Sequence, residues 1–178
     1  LFCTQRKCKI WFLATIISTM EKFKINSFIA FFLFQISFSL NSAEIFSSEE
    51  NVVLNVHKTS TCGCCKKWIE HLQDNGIKSF STDHQNSELE SLKDAYSIKP
   101  KYRSCHTGVS SDGYIFEGHI PSEFITKFLS ENHKDAIGLS VPGMPLGSPG
   151  MEVGGRLMPY DVLILFKDGT SKVYAEVR

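Results

Sequence analysis

Residues 52–57 are rich in β-branched side chains, and five residues further on the chain reads Cys62-Gly63-Cys64-Cys65. Cys65, Trp68, Ile69 and Leu72 then fall at i, i+3, i+4 and i+7, one face of a helix. A strand handing over to a helix through three thiols restricts the fold more than any other segment. The unpaired N–H groups and the positive dipole end of a helix start favour the thiolate, the reactive and metal-binding form of cysteine. One or two cysteines there suggest redox catalysis; three invite a soft metal ion.

The segments that follow extend the pattern. Asp74-Asn75-Gly76 ends the first helix, with Gly76 suited to a left-handed cap. Residues 77–81 read as a second strand. Ser87 and Glu90 have capping-box spacing, and Leu89, Leu92 and Tyr96 supply the buried stripe of a second helix ending before Pro100. Residues 107–110 and 114–117 flank Ser111-Asp112-Gly113 as a hairpin. Pro121 suits a first helical position, followed by an apolar face of Phe124, Ile125, Phe128 and Leu129. The predicted order is β-α-β-α-β-β-α. Residues 138–155, with six of the 12 glycines and three of the six prolines, read as a long structured loop. Residues 160–166 and 170–177 form a second hairpin around Lys167-Asp168-Gly169. There is no internal repeat, and residues 52–177 read as one domain.

The front of the chain is different. Residues 1–43 carry eight of the 14 phenylalanines and five of the 19 Lys/Arg, but one acid, Glu21. Met20 opens a secretory signal: Lys22 and Lys24 are its basic start, residues 28–34 its apolar run, and Asn41-Ser42-Ala43 its small-residue cleavage region. Residues 1–43 are therefore expected to be a leader, with 20–43 the signal peptide and the protein exported. An uncleaved anchor is the competing reading, weakened by Gln35 and the serines that interrupt the run. The zero formal net charge gives no reason to expect nucleic acid. Without Cys3 and Cys8, four cysteines remain: Cys62, Cys64, Cys65 and Cys105. An even count in an exported chain also admits disulfides.

A cysteine motif after the first strand, within this order of elements, resembles the thioredoxin fold. The resemblance places Arg103-Ser104-Cys105-His106-Thr107 where that fold usually carries a cis-proline, and so implies that Cys105 faces the Cys62–Cys65 turn. A narrower resemblance rests on TCGCCKKWIEHL, SCHTGV, DGYIFEGHIP and GLSVPGMPLGSPGME. These strings are similar to the bacterial periplasmic metal-binding family that includes the CopG-type copper-resistance proteins, over about residues 52–177. That resemblance implies an exported thioredoxin-like domain that handles copper in the periplasm of a Gram-negative bacterium, with other periplasmic copper-handling proteins as partners.

Soft sulfur ligands select Cu(I), zinc or iron–sulfur clusters. Tetrahedral zinc sites usually draw cysteines from two separated pairs, whereas Cys-Gly-Cys-Cys crowds three sulfurs together. Thiolates bridging several Cu(I) ions relieve that crowding, so the expected cofactor is copper, with zinc second. The expected ligands are Cys62, Cys64, Cys65 and Cys105, with His106 and His119 as imidazole candidates and Met144 and Met151 as thioether candidates from the Gly/Pro loop. Met158 is weighed and set lower. His57 ends the first strand near the motif. His71, His84 and His133 read as ordinary surface residues, Lys66 and Lys67 as solvated charges and Trp68 as core. Three functions compete: copper binding and sequestration, with or without Cu(I)/Cu(II) turnover; thiol–disulfide exchange with Cys62 attacking and Cys65 resolving; and a non-enzymatic domain stapled by a disulfide between Cys105 and a motif cysteine.

Overall fold

In the computed structural model, residues 52–178 are described. The expected leader, with Cys3 and Cys8, lies outside them. The elements are β1 (Val53–Thr59), α1 (Gly63–Asp74), β2 (Lys78–His84), α2 (Asn86–Ala95), a 3-10 turn (Pro100–Tyr102), β3 (His106–Ser110), β4 (Ile115–Glu117), α3 (Ser122–Ser130), β5 (Ala136–Ser140), β6 (Tyr160–Phe166) and β7 (Ser171–Val177). They build one mixed sheet in the order β2-β1-β3-β4-β5-β6-β7. The β1/β2 and β4/β5 pairs are parallel and the rest antiparallel. No described helix is long and apolar enough to cross a membrane.

Strand alternation separates two cores. Leu54, Val56, Phe116 and Leu139 point to one face and pack with Trp68 and Leu72 of α1 and Ile125 and Phe128 of α3. Val109, Ile115 and Leu165 point to the other and pack with Ile98 and Tyr102, just after α2. Each fully buried side chain of the Leu, Ile or Phe size contributes about 1.5–3 kcal/mol relative to exposure. The α1 stripe is apolar where it meets the sheet: Cys65, Trp68 and Leu72 are fully buried. This fixes the rotation of α1 and therefore the direction in which its first-turn thiols point.

Three expectations shift. Residues 138–155 are not all loop, because β5 takes the first of them. A Cβ on Gly138 would lie 1.8 Å from the Ile115 carbonyl oxygen, and the β5/β6 register slips beside it. Only glycine fits this bulge, so a loop-like residue marks a strand. The capping interaction of α2 lies two residues earlier than Ser87: the Gln85 N–H donates to Glu88 Oε2 at 3.0 Å. Pro121 stands one position before the first residue of α3, as its N-cap.

Candidate metal centre

The centre begins where β1 ends. The Cys62 N–H donates to the Thr59 carbonyl at 3.2 Å and closes the turn. Cys62 is then the N-cap of α1, its Sγ accepting the Cys65 N–H at 3.3 Å. Cys62 and Cys65 are joined by a disulfide across a Cα–Cα distance of 5.3 Å, while Cys64 and Cys105 are free. Cys105 Sγ lies 3.4 Å from Cys65 Sγ and 4.0 Å from Cys64 Sγ, and Cys64 Sγ lies 3.5 Å from Cys62 Sγ. All four sulfurs lie within 4.8 Å of one another. Cys105 thus closes the mouth of the motif, and the disulfide lies inside the motif rather than through Cys105, as the third competing reading has it. The physical reason is the helix start, which brings residues i and i+3 to within disulfide reach.

Cys105 is held by the residues around it. The Ser104 N–H donates to Glu117 Oε1 at 2.6 Å, and Lys93 Nζ donates to the Ser104 carbonyl at 2.7 Å. Lys93 and Glu117 form a fully buried ion pair, and Thr107 Oγ1 donates to Glu117 Oε2 at 2.5 Å. Both backbone groups of Ser104 are therefore tied to one buried pair. Its members come from α2 and from β4, where Glu117 is registered opposite Thr107. Burial pushes the Glu117 carboxyl upward against the pull of Lys93.

Two buried histidines flank the sulfurs. His119 Nε2 lies 3.1 Å from Cys105 Sγ, and its Nδ1 lies 2.8 Å from the Pro149 carbonyl. A carbonyl only accepts, so Nδ1 carries the proton and the Nε2 lone pair faces the sulfur. A carbonyl holding the far nitrogen in this way is what orients a metal-ligating imidazole. His106 Nδ1 lies 3.3 Å from Cys105 Sγ, and its ring packs against Trp68 at a tilt of 36° with centroids 4.2 Å apart. His106 Nε2 is buried with no hydrogen-bond partner among the described residues. Burial first, then His119 and Lys93, hold His106 well below the usual histidine range; burial also lowers His119. Both rings are neutral, the form that binds metal.

The Gly/Pro loop lies on this site. A Cβ on Gly150, whose φ is +84°, would meet the Cys64 carbonyl at 2.7 Å and the Trp68 nitrogen at 2.9 Å. Glycine here lets the loop backbone press on the first turn of α1 and aims the neighbouring Pro149 carbonyl at His119. Met151 follows directly and is half-buried. Met144 goes elsewhere: it is 50% exposed and, with Met158, lines a separate cavity of about 420 Å³ without a cysteine.

Two ligands about 2.3 Å from one ion at the tetrahedral angle stand ~3.8 Å apart. The sulfur separations of 3.4, 3.5 and 4.0 Å bracket that value. The donor set thus fits soft-metal coordination once the Cys62–Cys65 bond is reduced. Without metal, burial and the adjacent Cys64 push the Cys105 thiol up to about 12. Cys105 is then a thiol at neutral pH, and an entering metal must displace its proton.

Sequence reasoning missed Lys93 and Glu117. Their signals are charges at inward positions: Lys93 four residues after the buried Leu89, and Glu117 in phase with Ile115. His71 and His84 are also more than surface residues. His71 Nε2 accepts the Ser122 N–H at the start of α3, and His84 pairs with His57.

Residues 102–151 match a family model described as a protein of unknown function, DUF411. No curated protein matches the chain at a significant level. Among solved structures, one described as the copper resistance protein CopG, form 1, is 40% identical, with a TM-score of 0.66 over 71% of this chain and 98% of that one. A second, described as form 2 of the same protein, is 42% identical, with a TM-score of 0.64 and the same coverage. With 40% or more identity over nearly the whole of each solved relative, and with the cysteine cluster in place, the chain belongs to the family of CopG-type copper-resistance proteins.

Proposed function

We propose that this is an exported, thioredoxin-like copper-binding protein that holds Cu(I) on the thiolates of Cys62, Cys64, Cys65 and Cys105. The observation that carries this reading is the four-sulfur cluster, all within 4.8 Å, closed by Cys105. Soft donors of this kind select Cu(I), and with four thiolates in one cluster the sulfurs can bridge more than one ion. His119, oriented through Pro149, and His106 stand beside Cys105 as further ligands; with Cys105 they form a second potential metal-holding group. The relatives' printed description as copper-resistance proteins supports copper as cargo and copper resistance as the role. Residues 20–43 supply the export signal in this reading.

The disulfide supports a second reading. A Cys62–Cys65 bond at a helix start is the oxidised form of a thiol–disulfide exchange motif. The two readings are coupled through electrons. Two-electron reduction yields the Cys62 and Cys65 thiols and completes the sulfur set; oxidation leaves Cys64 and Cys105 alone. Anaerobic Cu(I) titration against a competing chelator, with metal quantification, separates the readings. Reduced protein is expected to take up Cu(I) tightly, the disulfide form far less, and Cys64→Ser to lower the stoichiometry. Absence of tight Cu(I) binding by the reduced protein ends the copper reading. Unchanged copper stoichiometry in Cys64→Ser removes its cluster detail.

A further inference from the structure

The sulfur centre lies on the α1 face of the sheet. The opposite, α2 face carries a different set of donors at the same end of β1. His57 Nδ1 and His84 Nε2 face each other across 2.9 Å. Thr59 is registered against His84, and His57 against Thr82, so the two imidazoles project from adjacent parallel strands on one face. His84 keeps about a fifth of its side chain exposed, which leaves the pair open to solvent at the sheet edge.

We propose that His57 and His84 form a second metal site, a two-imidazole clamp for a divalent first-row ion, with Cu(II) the tightest occupant. Two nitrogens each ~2.0 Å from an ion and at right angles to it stand ~2.9 Å apart, the separation seen between these rings. Right-angled neighbours are the geometry of tetragonal Cu(II), and imidazole with Cu(II) stands at the top of the divalent affinity order. Burial, and then the charge of His84, lower the His57 pKa, so the neutral ligand form prevails near neutral pH. Glu88 Oε2 lies 3.9 Å from His84 Nδ1, and that oxygen is already held by the Gln85 N–H. At 3.9 Å this carboxylate does not hydrogen-bond the ring; the 2.9 Å contact between the imidazoles is itself a hydrogen bond, whose proton an entering ion displaces. The nearby Lys58 is engaged by Asp83, so its charge is compensated. Two protein ligands leave the other positions to water, which suits capture and release rather than storage.

The site is independent of the thiolate reading: the two donor sets share no residue and prefer different oxidation states. The test uses the full chain, reduced and first loaded with Cu(I) so that the thiols are engaged. Cu(II) is then titrated and followed by electron paramagnetic resonance. The expected result is a tetragonal spectrum with hyperfine structure from two nitrogens. His57→Ala and His84→Ala each weaken Cu(II) binding more than tenfold while leaving Cu(I) uptake unchanged. His84→Asn serves as a second variant should an alanine variant misfold. Ni(II), which thiols do not reduce, is expected to perturb the His57 and His84 imidazole resonances selectively. A Cu(II) spectrum and affinity unchanged in both variants overturn the proposal, as does absence of Cu(II) and Ni(II) binding by the Cu(I)-loaded protein. Loss of Cu(I) uptake by the unsubstituted protein would instead refute the thiolate reading and leave this site standing.

Discussion

Two buried polar clusters meet at the Ser104–Cys105 peptide, one on each side of it. The Lys93–Glu117 cluster is closed on itself: the charges pair, and the spare valences go to Ser104 and Thr107. The cysteine–histidine cluster is open. Its sulfurs are neighbours of one another, and the His106 Nε2 has no partner among the described residues. A satisfied network rigidifies a fold, whereas an unsatisfied one is a standing cost unless a ligand completes it. The comparison assigns structure to the first cluster and binding to the second, and each assignment can be broken.

The largest effect is expected at Glu117. Glu117→Ala leaves the Lys93 ammonium buried and unpaired, which costs about 3–5 kcal/mol of stability in denaturant unfolding. Lys93→Met combined with Glu117→Gln removes both charges and is expected to recover most of that loss. If Glu117→Ala unfolds no more easily than the parent, the closed cluster is not what holds Ser104. Next comes Cys105→Ser, with the opposite signature. Cu(I) affinity is expected to fall by ~100-fold or more, since even outer-shell changes cost 10–100-fold at metal sites. The metal-free fold should be nearly untouched, because Cys105 is half-buried and ties down no backbone. A variant that keeps its copper but melts early would exchange the two roles.

The two clusters also differ in how far the sequence reveals them. Cys62, Cys64 and Cys65 announce themselves, because thiols at a β-to-α junction have few uses. Cys105 is 40 residues from Cys65, and no local pattern joins them; only resemblance to a known scaffold placed it opposite the motif. His119 depends on the Pro149 carbonyl for its tautomer, a contact 30 residues away that periodicity does not encode. Lys93 and Glu117 are charged residues in amphipathic segments, where the usual expectation is solvent. Met144 misled for the converse reason. Its sulfur is soft, but its side chain is half exposed and lines a cavity that holds no cysteine. The strand β5 was hidden by Gly138, which the bulge requires and propensity disfavours.

Gly150 sharpens the same comparison at its edge. Gly150→Ala forces a side chain into a left-handed conformation and against the Cys64 carbonyl, on the order of 2 kcal/mol in unfolding experiments. It should also weaken copper binding, because Pro149 moves with it and releases His119. Loss of stability without loss of copper would show that the loop braces α1 and leaves His119 unaffected.

The smallest effect at neutral pH, and the most diagnostic of an open site, is protonic. With the Cys62–Cys65 disulfide in place and no metal, the Cys105 thiol is pushed up to about 12, first by burial and then by Cys64. An exposed thiol in the unfolded chain titrates near ~8.5. Between those values the unfolded chain has lost a proton that the fold retains, so stability is full below ~8.5 and falls as pH rises toward 12. Tyr160, also raised to about 12 by burial, adds a similar alkaline loss. Cys105→Ser should therefore flatten part of the slope in alkaline unfolding, leaving the Tyr160 share. Copper reverses the sign: binding needs the thiolate, so Cu(I) affinity should rise with pH and loading should release protons. A closed structural pair would show no such coupling between metal and proton. Proton release on Cu(I) addition, diminished in Cys105→Ser, is therefore the measurement that ties the raised thiol to metal binding by the sulfurs around it.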